Sequence, residues 1–118
     1  MTGKTGYYAG LAAEDSVVRD YQSRNLDIAA RRWRGQSGEI DLVARDGATV
    51  VFVEVKKSRD FATAALRLGR RQMDRICRAA SEFLAGEPNG QLTDVRFDLA
   101  LVNATGATKV IENAFMEA

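Results

Sequence analysis

The sequence predicts one α/β domain, a mixed central sheet flanked by helices in the order α-β-β-β-α-β(-β). Three observations lead there. Val50-Val51-Phe52-Val53 is a short unbroken apolar run, as in a strand covered on both faces. Asp46-Gly47 before it is a hairpin signal between two strand-like runs. Amphipathic segments at helical spacing flank these strands on either side. The length of 118 residues suits a single domain spanning 1–118 with one core.

Taken in order, Leu11, Val18 and Tyr21 recur at helical spacing and predict a first helix from about Tyr8 to Arg24. Leu26 to Arg34 reads as a strand. Glu39 to Arg45 and Thr49 to Lys57 alternate or run β-branched and form a hairpin about Asp46-Gly47. Ser58 to Ala65 is then a loop, a candidate for disorder or for closure over a substrate. A second helix runs from about Leu66 to Leu84, with Met73, Ile76, Cys77, Ala80, Phe83 and Leu84 as its apolar stripe; Gly86 and Pro88 stop it. Gly86 to Leu92 is a loop. Val95 to Val102 is a strand with Val95, Phe97, Leu99 and Leu101 on one face, and a short last strand lies around Val110 to Glu112.

Composition narrows the chemistry. At 46% hydrophobic and 28% charged residues the chain is of ordinary globular make-up. It has no apolar run near the roughly 20 residues that cross a bilayer, and its first residues lack the apolar stretch of a signal peptide. A cytoplasmic protein that does not bind membranes is expected. One cysteine, Cys77, excludes an internal disulfide framework and reads as a small core residue. With no histidine, the commonest transition-metal ligand and general base are both missing. A metal held by side chains here would meet mainly oxygen, which favours Mg²⁺ or Mn²⁺.

Net charge is only +1, yet Lys56 to Arg78 carries eight bases and two acids. Such a surplus attracts a polyanion locally. Arg71, Arg75 and Arg78 form one stripe of the second helix, with Arg67 a turn earlier, positioned to grip phosphates without reading bases. Arg31, Arg32 and Arg34 surround Trp33, which either stacks on an unpaired base or, the favoured reading, is a half-buried strand residue. Gly3-Lys4-Thr5 resembles the end of a phosphate-binding loop, but no strand precedes it and it is discounted.

The hairpin is where chemistry gathers. With Asp46-Gly47 as the turn, Arg45 faces Ala48, Val43 faces Val50, Asp41 faces Phe52 and Glu39 faces Glu54. Alternation then puts Asp41, Glu54 and Lys56 on one face, Asp41 and Glu54 as diagonal neighbours; Ile40, Leu42, Val51, Val53 and Val55 take the other face. Two carboxylates crowded together repel, and a divalent cation removes the repulsion while lowering the pKa of a bound water. Lys56 would orient or deprotonate that water, or neutralise charge on the phosphate. Glu14 lies inside the apolar stripe of the first helix, where a carboxylate either meets a cation, the metal or an arginine, or marks a stripe rotated slightly toward water.

Gly38-Glu39-Ile40-Asp41-Leu42 followed by Val51-Phe52-Val53-Glu54-Val55-Lys56, with Arg96-Phe97-Asp98, Asn113-Ala114-Phe115 and the stretch Gly10 to Glu14, resembles the signature of the YraN-like family of small bacterial proteins. That family is similar to the restriction-endonuclease-like nucleases of the PD-(D/E)xK type, including Holliday-junction resolvases. The resemblance implies that fold, with Asp41 as metal-binding aspartate, Glu54 and Lys56 as the (D/E)xK pair, Glu14 as a first-helix metal ligand and Gln72 as a polar residue supporting the site. Ile40 stands where the superfamily label has proline, and Lys57-Ser58-Arg59 is one residue longer than the usual lysine-x-arginine spacing. The expected function is a Mg²⁺- or Mn²⁺-dependent endonuclease hydrolysing phosphodiester bonds in branched or structured DNA, as a homodimer if both strands are cut. Two alternatives use the same residues: a non-catalytic nucleic-acid-binding module, or a small interaction protein docking on a replication, repair or cell-wall protein partner.

Overall fold

The computed structural model describes residues 3–115, with side chains from Gly10 onward. Helix α1 (Gly3–Ser23) precedes strands β1 (Asp27–Arg34), β2 (Glu39–Asp46) and β3 (Thr49–Lys57). Helices α2 (Phe61–Ala65) and α3 (Arg70–Leu84) follow, then a single 3₁₀ turn (Gly90–Leu92), β4 (Val95–Val102) and β5 (Thr108–Ile111). The strands form one sheet in the order β1-β2-β3-β4-β5, with β3 at its centre as its apolar run predicts. Every neighbouring pair is antiparallel except β3 and β4, which run parallel. A parallel pair needs a crossover, and α2 and α3 supply it. Among the described residues no helix is long and apolar enough to cross a membrane.

Each sheet face has its own core. On one, Ala13, Val17 and Tyr21 of α1 pack on Leu42, Ala44, Val51, Val53, Ala100 and Val102. On the other, Ile76, Ala79, Ala80 and Leu84 of α3 pack on Val43, Val50 and Phe52, while α2 buries Ala64 against Leu99 and Leu101. Phe52 is the hub of the second side, stacked on Phe97 with centroids 5.4 Å apart and meeting Phe83 edge-on at 5.7 Å.

The hairpin register differs from the predicted one. Asp46 pairs with Thr49, Arg45 with Val50 and Val43 with Phe52, so the two loop residues are Gly47-Ala48. Gly47, with φ +60°, takes the first central position, which a type II′ turn reserves for glycine. Against the expectation each partner moves by two residues. An even shift leaves every side chain within the ladder on its expected face.

Alternation does fail at one place. The β2–β3 ladder ends at Leu42 and Val53. Beyond it β2 follows β1 as far as Arg34–Glu39, and β3 follows β4 as far as Lys57–Val102. The sheet forks. Ile40 therefore joins the α3-side core with Val43, rather than the α1 side with Leu42. Across the ladder, Arg32 takes a positive φ of +51°.

Three further expectations are corrected. Ser58 to Ala65 is not a plain loop: α2 forms there, its start capped by Asp60 Oδ1, which accepts the Thr63 N–H at 2.7 Å. The long second helix begins only at Arg70, so Arg67 lies in the connection between α2 and α3. Cys77 is exposed, and Ala79 occupies the sheet-facing position instead. Trp33 is half-buried, edge-on to Phe83 with centroids 5.4 Å apart.

Candidate metal centre

The fork creates the site. Where the ladder stops, the Val55 N–H would lack a partner, and Asp41 Oδ2 accepts it at 2.8 Å. The aspartate thus takes over the backbone pairing that β2 gives up. On the adjoining strand Glu54 is only 5% exposed. Gln72, in the first turn of α3, donates its Nε2 to Glu54 Oε2, and Lys56 Nζ lies 3.2 Å from the same oxygen. The three hairpin residues expected to converge do so, and Gln72 joins them from the helix.

Their electrostatics show how tightly. Burial, followed by the shared hydrogen bond and charge of Glu54, pushes the Asp41 carboxyl up to about 8; the Val55 N–H and Lys56 pull the other way but lose. The Asp41 carboxyl thus keeps its proton beside Glu54 at neutral pH. A divalent cation can replace that proton. The chemistry of the donor set fits one: two acidic oxygen ligands beside a cavity large enough for water and phosphate, with an ammonium alongside.

Asp41 lies between two cavities. One, of about 460 Å³, is lined by Arg34, the Gly35–Gly38 turn, Glu54, Gln72 and Arg75 as well as Asp41. The other, of about 260 Å³, is lined by Glu14, Asp41, Val55, Lys56, Lys57 and Arg67 among others. Of the predicted phosphate-binding arginines, Arg75 therefore belongs to the first cavity and Arg67 to the second. Arg71 and Arg78 are exposed on α3 and line neither.

Glu14 is 6% exposed, as its place on the α1 stripe implies. Its partner is an arginine: Arg32 Nε donates to both carboxylate oxygens at 3.1 Å, and Arg31 stands 3.8 Å away. Among the described residues no third acidic group joins Asp41 and Glu54 in one cluster. The basic run around Trp33 is likewise engaged, with Arg31 on Asp15 at 2.7 Å and Arg34 on Glu39 at 3.0 Å.

Two features escaped the sequence reading. Glu82, half-buried on α3, accepts the N–H groups of Gln36 and Ser37 at 2.8 and 3.0 Å and so ties the β1–β2 turn to the helix. Its place seven residues after Arg75, on the same helical face, was the available signal. Asp98, with no exposed surface, gathers the Tyr21 hydroxyl, the Arg96 guanidinium and the Asn113 N–H. A charged residue in the middle of an apolar strand marks such a network but does not name its partners.

The family model described as uncharacterised protein family UPF0102 matches residues 13–102. A UPF0102 protein of Cereibacter sphaeroides is 64% identical over 115 residues, covering 98% of both chains. One from Ruegeria pomeroyi is 61% identical over 113 residues, 96% of this chain and 92% of its own. One from Dinoroseobacter shibae is 42% identical over 114 residues, 97% of this chain and 85% of its own.

Proposed function

We propose, for a chain that belongs to the uncharacterised protein family UPF0102, a metal-dependent endonuclease that hydrolyses phosphodiester bonds in branched or structured DNA. In this reading the fork is that of a restriction-endonuclease-like PD-(D/E)xK nuclease of the cytoplasm. The observation that carries it is the meeting of Asp41, Glu54 and Lys56 where β2 and β3 part, with the Asp41 carboxyl pushed up to about 8 by its neighbour.

Asp41 and Glu54 would hold Mg²⁺ or Mn²⁺ through their oxygens. The ion, when bound, supplies a water of lowered pKa and charge neutralisation at the phosphate. Asp41 is kept in place by the Val55 N–H, and Glu54 by Gln72. Lys56 Nζ, 3.2 Å from Glu54, is positioned to orient the attacking water, take its proton or face the charge that builds on the phosphate. Glu14 can reach the same centre only by giving up Arg32, so its first role is to fix the helix beside the site.

The test is cleavage by purified protein of four-way, flapped, duplex and single-stranded DNA in Mg²⁺, Mn²⁺ or EDTA. Asp41→Asn should abolish the metal-dependent cut, and Lys56→Ala should slow it by about 10²–10⁴-fold. Cleavage that persists in both variants sinks the assignment. Salt-sensitive binding without turnover in any divalent ion would favour the binding module. A protein partner co-purifying with a chain that has no DNA affinity at low salt would favour the interaction protein.

A further inference from the structure

The larger cavity contains a cation that the metal centre does not use. Arg75 lines it beside Asp41, Glu54 and Gln72, and among the described residues its guanidinium has no acidic partner. Arg34 on the facing wall is already taken by Glu39.

The stem of Arg75 rests on bare backbone. A Cβ at Gly38 would stand 2.9 Å from its Cδ and 3.0 Å from its Cγ, and the Gly38 φ of +150° is itself one that side chains avoid. The turn beneath is closed by the Gly35 N–H donating to the Gly38 carbonyl at 2.9 Å. It is pinned to α3 by Glu82, which accepts Gln36 N–H and Ser37 N–H. A Cβ at Gly35 would come within 2.8 Å of Glu82 Oε2. Arg75 and Glu82 stand on the same face of α3, with buried Ala79 between them. Helix and turn are one wall, and that wall presents an unneutralised guanidinium.

We infer that Arg75, seated on Gly38, forms a subsite for the phosphate next to the one attacked, and that Glu82 is the positioning residue that keeps this subsite in place. The inference rests on the nuclease reading above. A guanidinium meets two phosphate oxygens with two parallel hydrogen bonds, which an ammonium cannot do. The cavity, at about 460 Å³, is of the size that encloses a ligand group. Arg71 and Arg78, outside it, contribute only screened attraction.

The experiment is equilibrium binding of a fluorescent DNA four-way junction in EDTA, where no cutting occurs, titrated over salt. Arg75→Ala should weaken binding by about tenfold and lower the log–log salt slope by about one, while Arg71→Ala changes little. Gly38→Ala and Glu82→Ala should lose the same slope although both retain Arg75, and adding Glu82→Ala to Arg75→Ala should cost nothing more. Thermal melting identifies a Glu82 variant that fails to fold; Gly38→Ala then carries the test. Wild-type binding with Arg75→Ala no worse than Arg71→Ala overturns the subsite and leaves the nuclease reading standing. Additive losses at positions 75 and 82 overturn the positioning role. A wild-type chain that binds no junction at low salt sinks both.

Discussion

Asp41 sits where two demands on a carboxylate oppose each other. The Val55 N–H wants a charged acceptor, while Glu54 and burial disfavour a second charge, and the balance lands at about 8. In the unfolded chain the same group titrates near 3.8. Between those values the folded state holds a proton that the unfolded state has released. Stability from this group is therefore full below about pH 4 and declines as pH rises toward 8, where the decline stops. In EDTA the unfolding free energy read from urea denaturation should fall from pH 5 to pH 8.5, by an amount on the order of a few kcal/mol. Asp41→Asn should flatten that slope. Mg²⁺ should restore stability at the alkaline end, because a cation bound only by the folded state takes over the proton's place. A slope of equal size in Asp41→Asn would assign the titration to another group.

The hairpin was legible because its apolar alternation survives a register error. The turn type was not, since Asp46-Gly47 and Gly47-Ala48 both offer glycine at a φ-positive position and only the cross-strand packing decides between them. Gly47 has open space where a Cβ would go, so only its φ of +60° resists substitution. Gly47→Ala should cost about 1 kcal/mol and Gly47→Asn less, read from urea midpoints. Helix α2 was missed because five residues cannot display a 3.6-residue period; the cap pair Asp60 and Thr63 was its one local sign. Asp60→Ala should cost about 1 kcal/mol by the same assay. The fork was invisible for a different reason. Alternation assumes that paired strands stay paired, whereas β2 and β3 part after Leu42 and Val53, and Ile40 changes sides as a result. The nearness of Asp41, Glu54 and Lys56 was readable from alternation, but the way Asp41 meets the Val55 N–H was not, because it needs the strands to part. The pairing of Glu14 with Arg32, which keeps it out of their cluster, was not readable either, because the spacing does not say which cation meets a carboxylate on the α1 stripe.

At the scale of the molecule, one edge of the sheet is fastened by a charge rather than by apolar packing. Tyr21 at the end of α1 donates to Asp98 at 2.7 Å, and burial together with that carboxylate pushes its hydroxyl far above the ordinary phenol range. Arg96 donates to both Asp98 oxygens at 2.9 and 3.0 Å and also reaches toward Asp46 and Glu112. The Asn113 N–H closes the set at 3.0 Å. One carboxylate thereby joins the first helix, the fourth strand, the hairpin turn and the segment after β5. Asp98 faces α1, whereas Glu54 one strand away faces α3, so the fastening lies across the sheet from the Glu54–Gln72 pair of the metal centre. Loss of one should leave the other's geometry intact. Tyr21→Phe removes a hydrogen bond to a charged acceptor and should cost about 1.5–3 kcal/mol. Asp98→Ala leaves Arg96 without its main counter-charge in a half-buried place and should cost about 3–5 kcal/mol. Both are measured by urea unfolding at pH 7. If Tyr21→Phe, while still folded, lost metal binding in proportion to its lost stability, the two faces would be one cooperative unit and their separation by the sheet would be wrong.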